Sequence, residues 1–179
     1  MKYILLLFSL LTFYACSNLS PKEKDLGKII NTKIDISSFN SVQQENEKQL
    51  LKEVLKKKEY ISLVFLKEDC NSCYFKFIEW IQKIDSVNIP ENYTLVFIIQ
   101  GTNYKRFISK IKDIDNGNTK NKYYTIMDPM GSYLKKNSDI PRWIIDASVL
   151  INSENKIKMV GAPFATPEMT ELFHKICAQ

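Results

Sequence analysis

Two of the four cysteines in this 179-residue chain, Cys70 and Cys73, stand in an arrangement that can carry reversible redox chemistry. Cys70-Asn71-Ser72-Cys73 follows the apolar run Ile61 to Leu66 and opens the amphipathic stretch Tyr74 to Ile81. A strand that ends in CxxC and passes into a helix lets both sulfurs meet at the helix N-terminus. There the unsatisfied N–H groups and the macrodipole favour thiolate over thiol. Cys70 would attack a disulfide and Cys73 would resolve the mixed species. Two other uses of the spacing stay open, a structural disulfide and half of a metal site. A closed zinc site is poorly supplied, with one histidine (His174) and no second CxxC. A peroxidase would place its attacking cysteine in a different local motif.

Neighbouring residues should tune the pair. Glu68 and Asp69 directly precede Cys70, and two carboxylates near a thiol oppose its ionisation, which predicts a reducing or sluggish couple. Lys76 follows Cys73 by three positions and would favour thiolate if it lay close, although a lysine at such a spacing is more often a solvated helix-face residue. Trp80 and Trp143 read as core or rim aromatics. His174 reads as a helix-end residue. Cys177 reads as a spare thiol, with a mixed disulfide or dimer bond as the alternative.

The elements that must position the pair follow from periodicity. Val42, Leu50, Leu51, Val54 and Leu55 predict a helix over about 43–58 with Ser41 as N-cap. Residues 60–66 read as a buried strand, 72–85 as a helix and 93–100 as a second apolar strand, together a parallel βαβ unit. Tyr104, Phe107, Ile108 and Ile111 give a further helix that runs into the turn-rich Asp115 to Asn118. A short strand over 123–128 and a helical turn or two over 130–136 come next. Residues 148–152 and 156–160 read as a hairpin, and Thr166-Pro167 starts the last helix.

The first fifteen residues carry one charge, Lys2, then the apolar run Ile4 to Leu11, then Ala15 before Cys16. That is an export signal, too short for a membrane span. Phe13-Tyr14-Ala15-Cys16 looks like a bacterial lipobox with Phe13 in place of the usual Leu, so Cys16 is the expected lipid attachment site. An ordinary secretory signal with Cys16 incidental is the alternative. Residues 16–41 are polar and read as the lipidated N-terminus and tether, leaving 42–179 as one domain. Loss of the signal takes the formal net charge from +5 to +4. The excess is spread over segments such as Lys56 to Lys58 and no arginine-aromatic stripe is present, which argues against nucleic acid binding. Export would put Cys70, Cys73 and Cys177 where disulfides persist.

From about residue 42 onward the chain resembles the thioredoxin-like lipoproteins of Bacteroidetes, which are similar to the membrane-anchored thiol-disulfide oxidoreductases of the TlpA and ResA kind. The resemblance is carried by Cys70-Asn71-Ser72-Cys73 with Lys76, by Asp128-Pro129-Met130-Gly131, and by Leu150 to Ile157 with Gly161-Ala162-Pro163. It implies an α/β thioredoxin-like fold, a central mixed sheet with helices on both faces. It also implies a lipid-anchored, periplasm-facing oxidoreductase that needs no cofactor or metal and acts on protein thiols and disulfides of the cell envelope. Relatives carry an aromatic residue before the first cysteine, where this chain has Glu68-Asp69. They also carry a cis-proline facing the pair, for which Pro141 is the candidate here. The reading from another class is a non-catalytic binding lipoprotein whose Cys70–Cys73 bridge staples the helix start.

Overall fold

The computed structural model describes residues 19–44, 47–115 and 123–179. The segment expected as an export signal and Cys16 lie outside them. Seven strands form one mixed sheet in the order β2-β1-β5-β4-β3-β6-β7. Its centre is β3 (Tyr60–Lys67) and β4 (Tyr93–Gln100), which pair in parallel along their whole length, Tyr60 opposite Tyr93 and Lys67 opposite Gln100. The helix α3 (Asn71–Ile84) joins them, as the βαβ pattern predicts. β5 (Tyr123–Met127) adds in parallel to β4, and β6 (Val149–Asn152) adds antiparallel to β3. β7 (Ile157–Val160) closes the expected hairpin.

Both faces of β3 and β4 are covered, and the side chains divide by the two-residue period of a strand. Val64, Leu66, Leu95, Phe97 and Ile99 face α3, α4 (Tyr104–Asp115) and the last helix, where Phe77, Trp80, Phe107 and Phe173 pack. Ile61, Leu63, Phe65, Val96 and Ile98 face the other layer. That layer takes Val54 from α2 (Leu51–Lys57), Tyr133 from α5 (Ser132–Lys136), and Ile144 and Ile145 from α6 (Arg142–Ala147). With both faces buried, an apolar run such as Ile61 to Leu66 has no solvent side on which polar residues would alternate. The last helix, α7 (Pro167–Cys177), starts as expected, with Thr166 Oγ1 accepting from Met169 N at 3.2 Å.

Two expectations fail near the N-terminus. The helix predicted over 43–58 is present only as α2, and the residues before it form the hairpin β1 (Ser41–Gln44) and β2 (Glu47–Leu50). Residues 43–49 contain no apolar side chain, so a helix there would have had no face to bury. The edge of β5 takes the segment instead, through Gln43 opposite Thr125.

The stretch expected as a tether also packs against the domain in its described part. Ser20 and Glu23 form a capping box that starts α1 (Pro21–Ile29): Glu23 N donates to Ser20 Oγ at 3.3 Å and Ser20 N to Glu23 Oε2 at 2.6 Å. Ile29, Ile34 and Ile36 are buried. The chain between them pairs along β7, where Asn31 N donates to Ile157 O at 2.7 Å and Ile157 N donates to Thr32 O at 2.9 Å. Lys33, next to the buried Ile34, forms an isolated antiparallel bridge with Lys156. Among the described residues, packing against the domain thus extends back to α1, ahead of the expected boundary at 42.

Candidate functional site

The parallel sheet delivers the C-terminal end of β3 to the N-terminus of α3, and Cys70 sits there as the N-cap residue. Cys70 and Cys73 are bridged, with their Cα atoms 5.2 Å apart. Cys73 N donates to Cys70 O at 2.9 Å, which closes the first turn around the pair. Lys67 N approaches Cys73 Sγ at 3.4 Å, and Ser72 Oγ lies 3.2 Å from Cys70 Sγ. In the reduced state these two groups, with the open N–H groups of the first turn of α3, can stabilise a thiolate. Both cysteines are half-buried. Among the described residues, no three His, Cys, Asp or Glu side chains cluster as a metal-ligand set.

The two carboxylates before Cys70 are each compensated elsewhere. Glu68 is buried, and its Oε2 accepts from Thr102 N at 2.7 Å and Asn103 N at 3.1 Å, at the start of α4. Its main-chain N continues the β3–β4 ladder by donating to Gln100 O at 3.0 Å, and its main-chain O accepts from the Tyr74 hydroxyl. Gly101 has no room for a side chain because Glu68 lies against it. Asp69 is exposed and pairs with Arg106 at 3.6 Å. The expected local negative field at Cys70 is thus offset, because Glu68 turns to amide groups and Asp69 to a guanidinium.

The groups that do share a cleft with the disulfide are mostly cationic. A cleft of about 490 Å³ is lined by Cys70, Ser72 and Cys73 together with Lys67, Lys76, Arg142 and Asp146, over a floor of Phe65 and Leu66. Lys76 comes from the second turn of α3, and its Nζ donates to Asp146 O at 2.6 Å. Burial pushes the Lys76 ammonium below its ordinary range, with the Asp146 charge opposing that shift. Arg142 Nε donates to Asp146 Oδ1 at 2.9 Å, and the guanidinium carbon stands 5.0 Å from the centre of the Phe65 ring. Arg142 and Asp146 were not apparent as site residues from the sequence. The i, i+4 Arg–Asp pair is visible there, but its placement beside β3 depends on where α6 docks.

Pro141, the candidate cis-proline, is corrected. No peptide bond among the described residues is cis. Pro141 is the N-cap of α6, with φ −50° and ψ 131°, and its carbonyl accepts from Ile144 N at 2.9 Å. A proline whose ring fixes φ suits a helix start, which is the task this one has. The residue directly before β6 is Ser148, in a conformation (φ 94°, ψ 157°) that glycine normally occupies. Ser148 is buried, and its Oγ has no hydrogen-bond partner.

Cys177 lies apart from this cleft, in the core beneath α7. Burial, with a smaller contribution from the Glu59 charge, pushes its thiol up to about 12. It is free and kept protonated. His174 stands beside Phe173 in the last turn of α7, and Trp80 packs in the core against Phe164. Trp143 Nε1 donates to Asp25 Oδ2 at 3.2 Å and so fastens α6 to α1.

No known family model and no curated protein matches the sequence. Solved structures do match in shape. A thioredoxin from Wuchereria bancrofti superposes with a TM-score of 0.52 at 16% identity, covering 81% of this chain and 99% of that one. A thiol-disulfide oxidoreductase from Bacteroides fragilis gives a TM-score of 0.55 at 14% identity, covering 79% of this chain and 99% of that one. At such identities the likeness is one of fold: this chain has the thioredoxin-like α/β fold, with a CxxC-spaced disulfide at the start of the helix that follows the central strand.

Proposed function

We propose that the protein is a thiol-disulfide oxidoreductase anchored to a bacterial envelope membrane through lipid on Cys16 and facing the periplasm. The observation that carries the redox part is the Cys70–Cys73 bridge at the N-terminus of α3, open to a cleft whose charged lining is mainly cationic. In the reduced protein the Cys70 thiolate attacks one sulfur of a substrate disulfide. The new bond joins Cys70 to that sulfur, and the other substrate sulfur leaves as a thiolate and takes a proton from solvent. The Cys73 thiolate then attacks Cys70 Sγ, which forms the intramolecular bridge and releases the second substrate thiol. Two electrons pass from the dithiol to the substrate, and a dithiol donor of the envelope restores the protein. Protein thiols and disulfides are the substrates of this reading. The export signal and Ala15-Cys16 support the anchor and the compartment.

The reduction potential of the Cys70/Cys73 couple tests the redox part. A reversible value between roughly −270 and −200 mV, the span from thioredoxin to glutaredoxins, is expected. A value well below about −300 mV would mark a structural staple. Cys73→Ser should in addition trap envelope proteins on Cys70 as mixed disulfides. Cys16→Ser should release the processed protein from membranes, and retention after a high-salt wash would remove the anchor.

One observation favours the second reading, a thioredoxin-like binding module with a structural bridge. Ser148, rather than a proline, stands before β6. A staple potential together with an empty trap would select that reading.

A further inference from the structure

The cleft beside the disulfide holds three cations and one carboxylate. Lys67, Lys76 and Arg142 line it, and Asp146 is the single acidic residue among its walls. Arg142 and Asp146 are paired to each other at 2.9 Å. Lys76, by contrast, has its short hydrogen bond to a main-chain carbonyl oxygen, a neutral acceptor, and the Asp146 charge that acts on it is shared with Arg142. The carboxylates closest in sequence, Glu68 and Asp69, do not line the cleft and are occupied by amide groups and by Arg106. A half-buried ammonium next to a neutral oxygen gains more from an incoming anion than a solvated one would, because the surrounding dielectric is lower.

We propose that the cleft receives a cysteine-bearing segment of a partner protein that carries an acidic side chain one or two residues from its cysteine, with the carboxylate held by Lys76 and Arg142. This rests on the oxidoreductase reading and specifies its substrate class. The volume of about 490 Å³ falls in the range of sites that enclose a ligand of several groups rather than one sulfur. Phe75, 61% exposed on the first turns of α3, offers a further contact outside the cleft that a protein partner would cover and a small thiol would not reach. Arg142 presents a planar fork suited to a carboxylate, with its guanidinium carbon 5.0 Å from the centre of the Phe65 ring.

The experiment uses the full mature protein, reduced with a dithiol and freed of the reductant, in single-turnover reduction of three peptide disulfides. They differ only in the residue next to the cysteine, which is Glu, Gln or Lys. The Glu peptide should be reduced roughly ten-fold faster than the Lys peptide at low ionic strength, and the ratio should shrink towards one as salt rises. In Lys76→Gln/Arg142→Gln the ratio should approach one even at low salt. The salt series on the unaltered protein keeps the test valid if the double variant folds poorly. Equal rates for the Glu and Lys peptides, with the Gln peptide reduced normally, would overturn the acidic preference and leave the oxidoreductase reading standing. Glutathione disulfide reduced as fast as the Glu peptide would overturn the protein segment as the occupant. Reduction of none of the three would remove both the preference and the oxidoreductase reading.

Discussion

Lys76 Nζ donates to the main-chain oxygen of Asp146 at 2.6 Å across seventy residues of sequence, and so ties the helix that carries the disulfide to the helix that forms the facing wall of its cleft. The bond couples electrostatics to position. The same ammonium that fastens α6 in place adds a positive charge to the cleft that holds the cysteines.

Lys76→Gln should therefore change the redox couple and leave the fold intact, since a glutamine can still donate to the Asp146 carbonyl. Loss of the positive charge destabilises a nearby thiolate, which raises the Cys70 pKa and makes the couple more reducing. Alkylation of Cys70 in the reduced protein at pH 6.5 should slow about two- to ten-fold, a shift of up to roughly one pKa unit. An unchanged alkylation rate with an unchanged melting temperature would show that Lys76 does not act on the thiols.

Glu68 and Gly101 should behave as one unit. Glu68→Gln removes a charge that accepts two amide protons at the start of α4, and should cost about 1–2 kcal/mol in urea unfolding. Gly101→Ala drives a methyl into the Glu68 side chain and should cost about 1–3 kcal/mol. Adding Gly101→Ala to Glu68→Gly should cost at least about 1 kcal/mol less than adding it to the unaltered chain, because both the Glu68 Cβ and the carboxylate that the new methyl would meet are gone. Additive costs would mean that the strand end yields without effort.

The central βαβ unit, the terminal hairpin, the capped last helix and the CxxC placement were all legible in sequence, for one physical reason. Each is specified by local pattern, a run buried on both faces, a helical stripe, or Thr-Pro at a helix start. What was not legible depends on docking. Residues 43–49 lack apolar side chains, so nothing local said that β1 would join the edge of β5 and that β2 would pair with β1. Glu68 reads as a neighbour of Cys70 in the chain, yet its carboxylate is spent on the amides of Thr102 and Asn103, 34 and 35 residues away. Arg142 and Asp146 reach the cleft only because α6 packs through Ile144 and Ile145 onto the second face of the sheet. The capping box at Ser20 and Glu23 is the exception, a local signal present in the sequence that would have placed α1.

Ser148→Gly should stabilise the protein. The serine occupies a glycine-like conformation, which costs of order 1–3 kcal/mol, and its buried hydroxyl lacks a partner. Glycine relieves both, offset by about 0.5–1 kcal/mol of extra unfolded-state entropy. A rise in melting temperature is expected, with the hairpin contact from Gly161 N to Ser148 O retained. A fall would mean that the serine hydroxyl has a partner in solution.

Alkaline stability should depend on Cys177. In the folded state burial pushes its thiol up to about 12, against an ordinary value of 9.0 when unfolded. Below pH 9 both states hold the proton and the group contributes no pH dependence. As the pH rises from 9 towards 12 the unfolded chain releases the proton while the folded one keeps it, so the unfolded state binds fewer protons and stability falls. Tyr93 and Tyr133, whose burial also raises their hydroxyls, add the same sign at higher pH. Cys177→Ala should remove the part of the loss that begins near pH 9, read as a flatter dependence of the urea midpoint between pH 8.5 and 10.5. In the folded, oxidised protein Cys177 should also resist alkylation at pH 8, reacting only after denaturation, whereas rapid labelling of the native protein would show that the thiol is not held in the core.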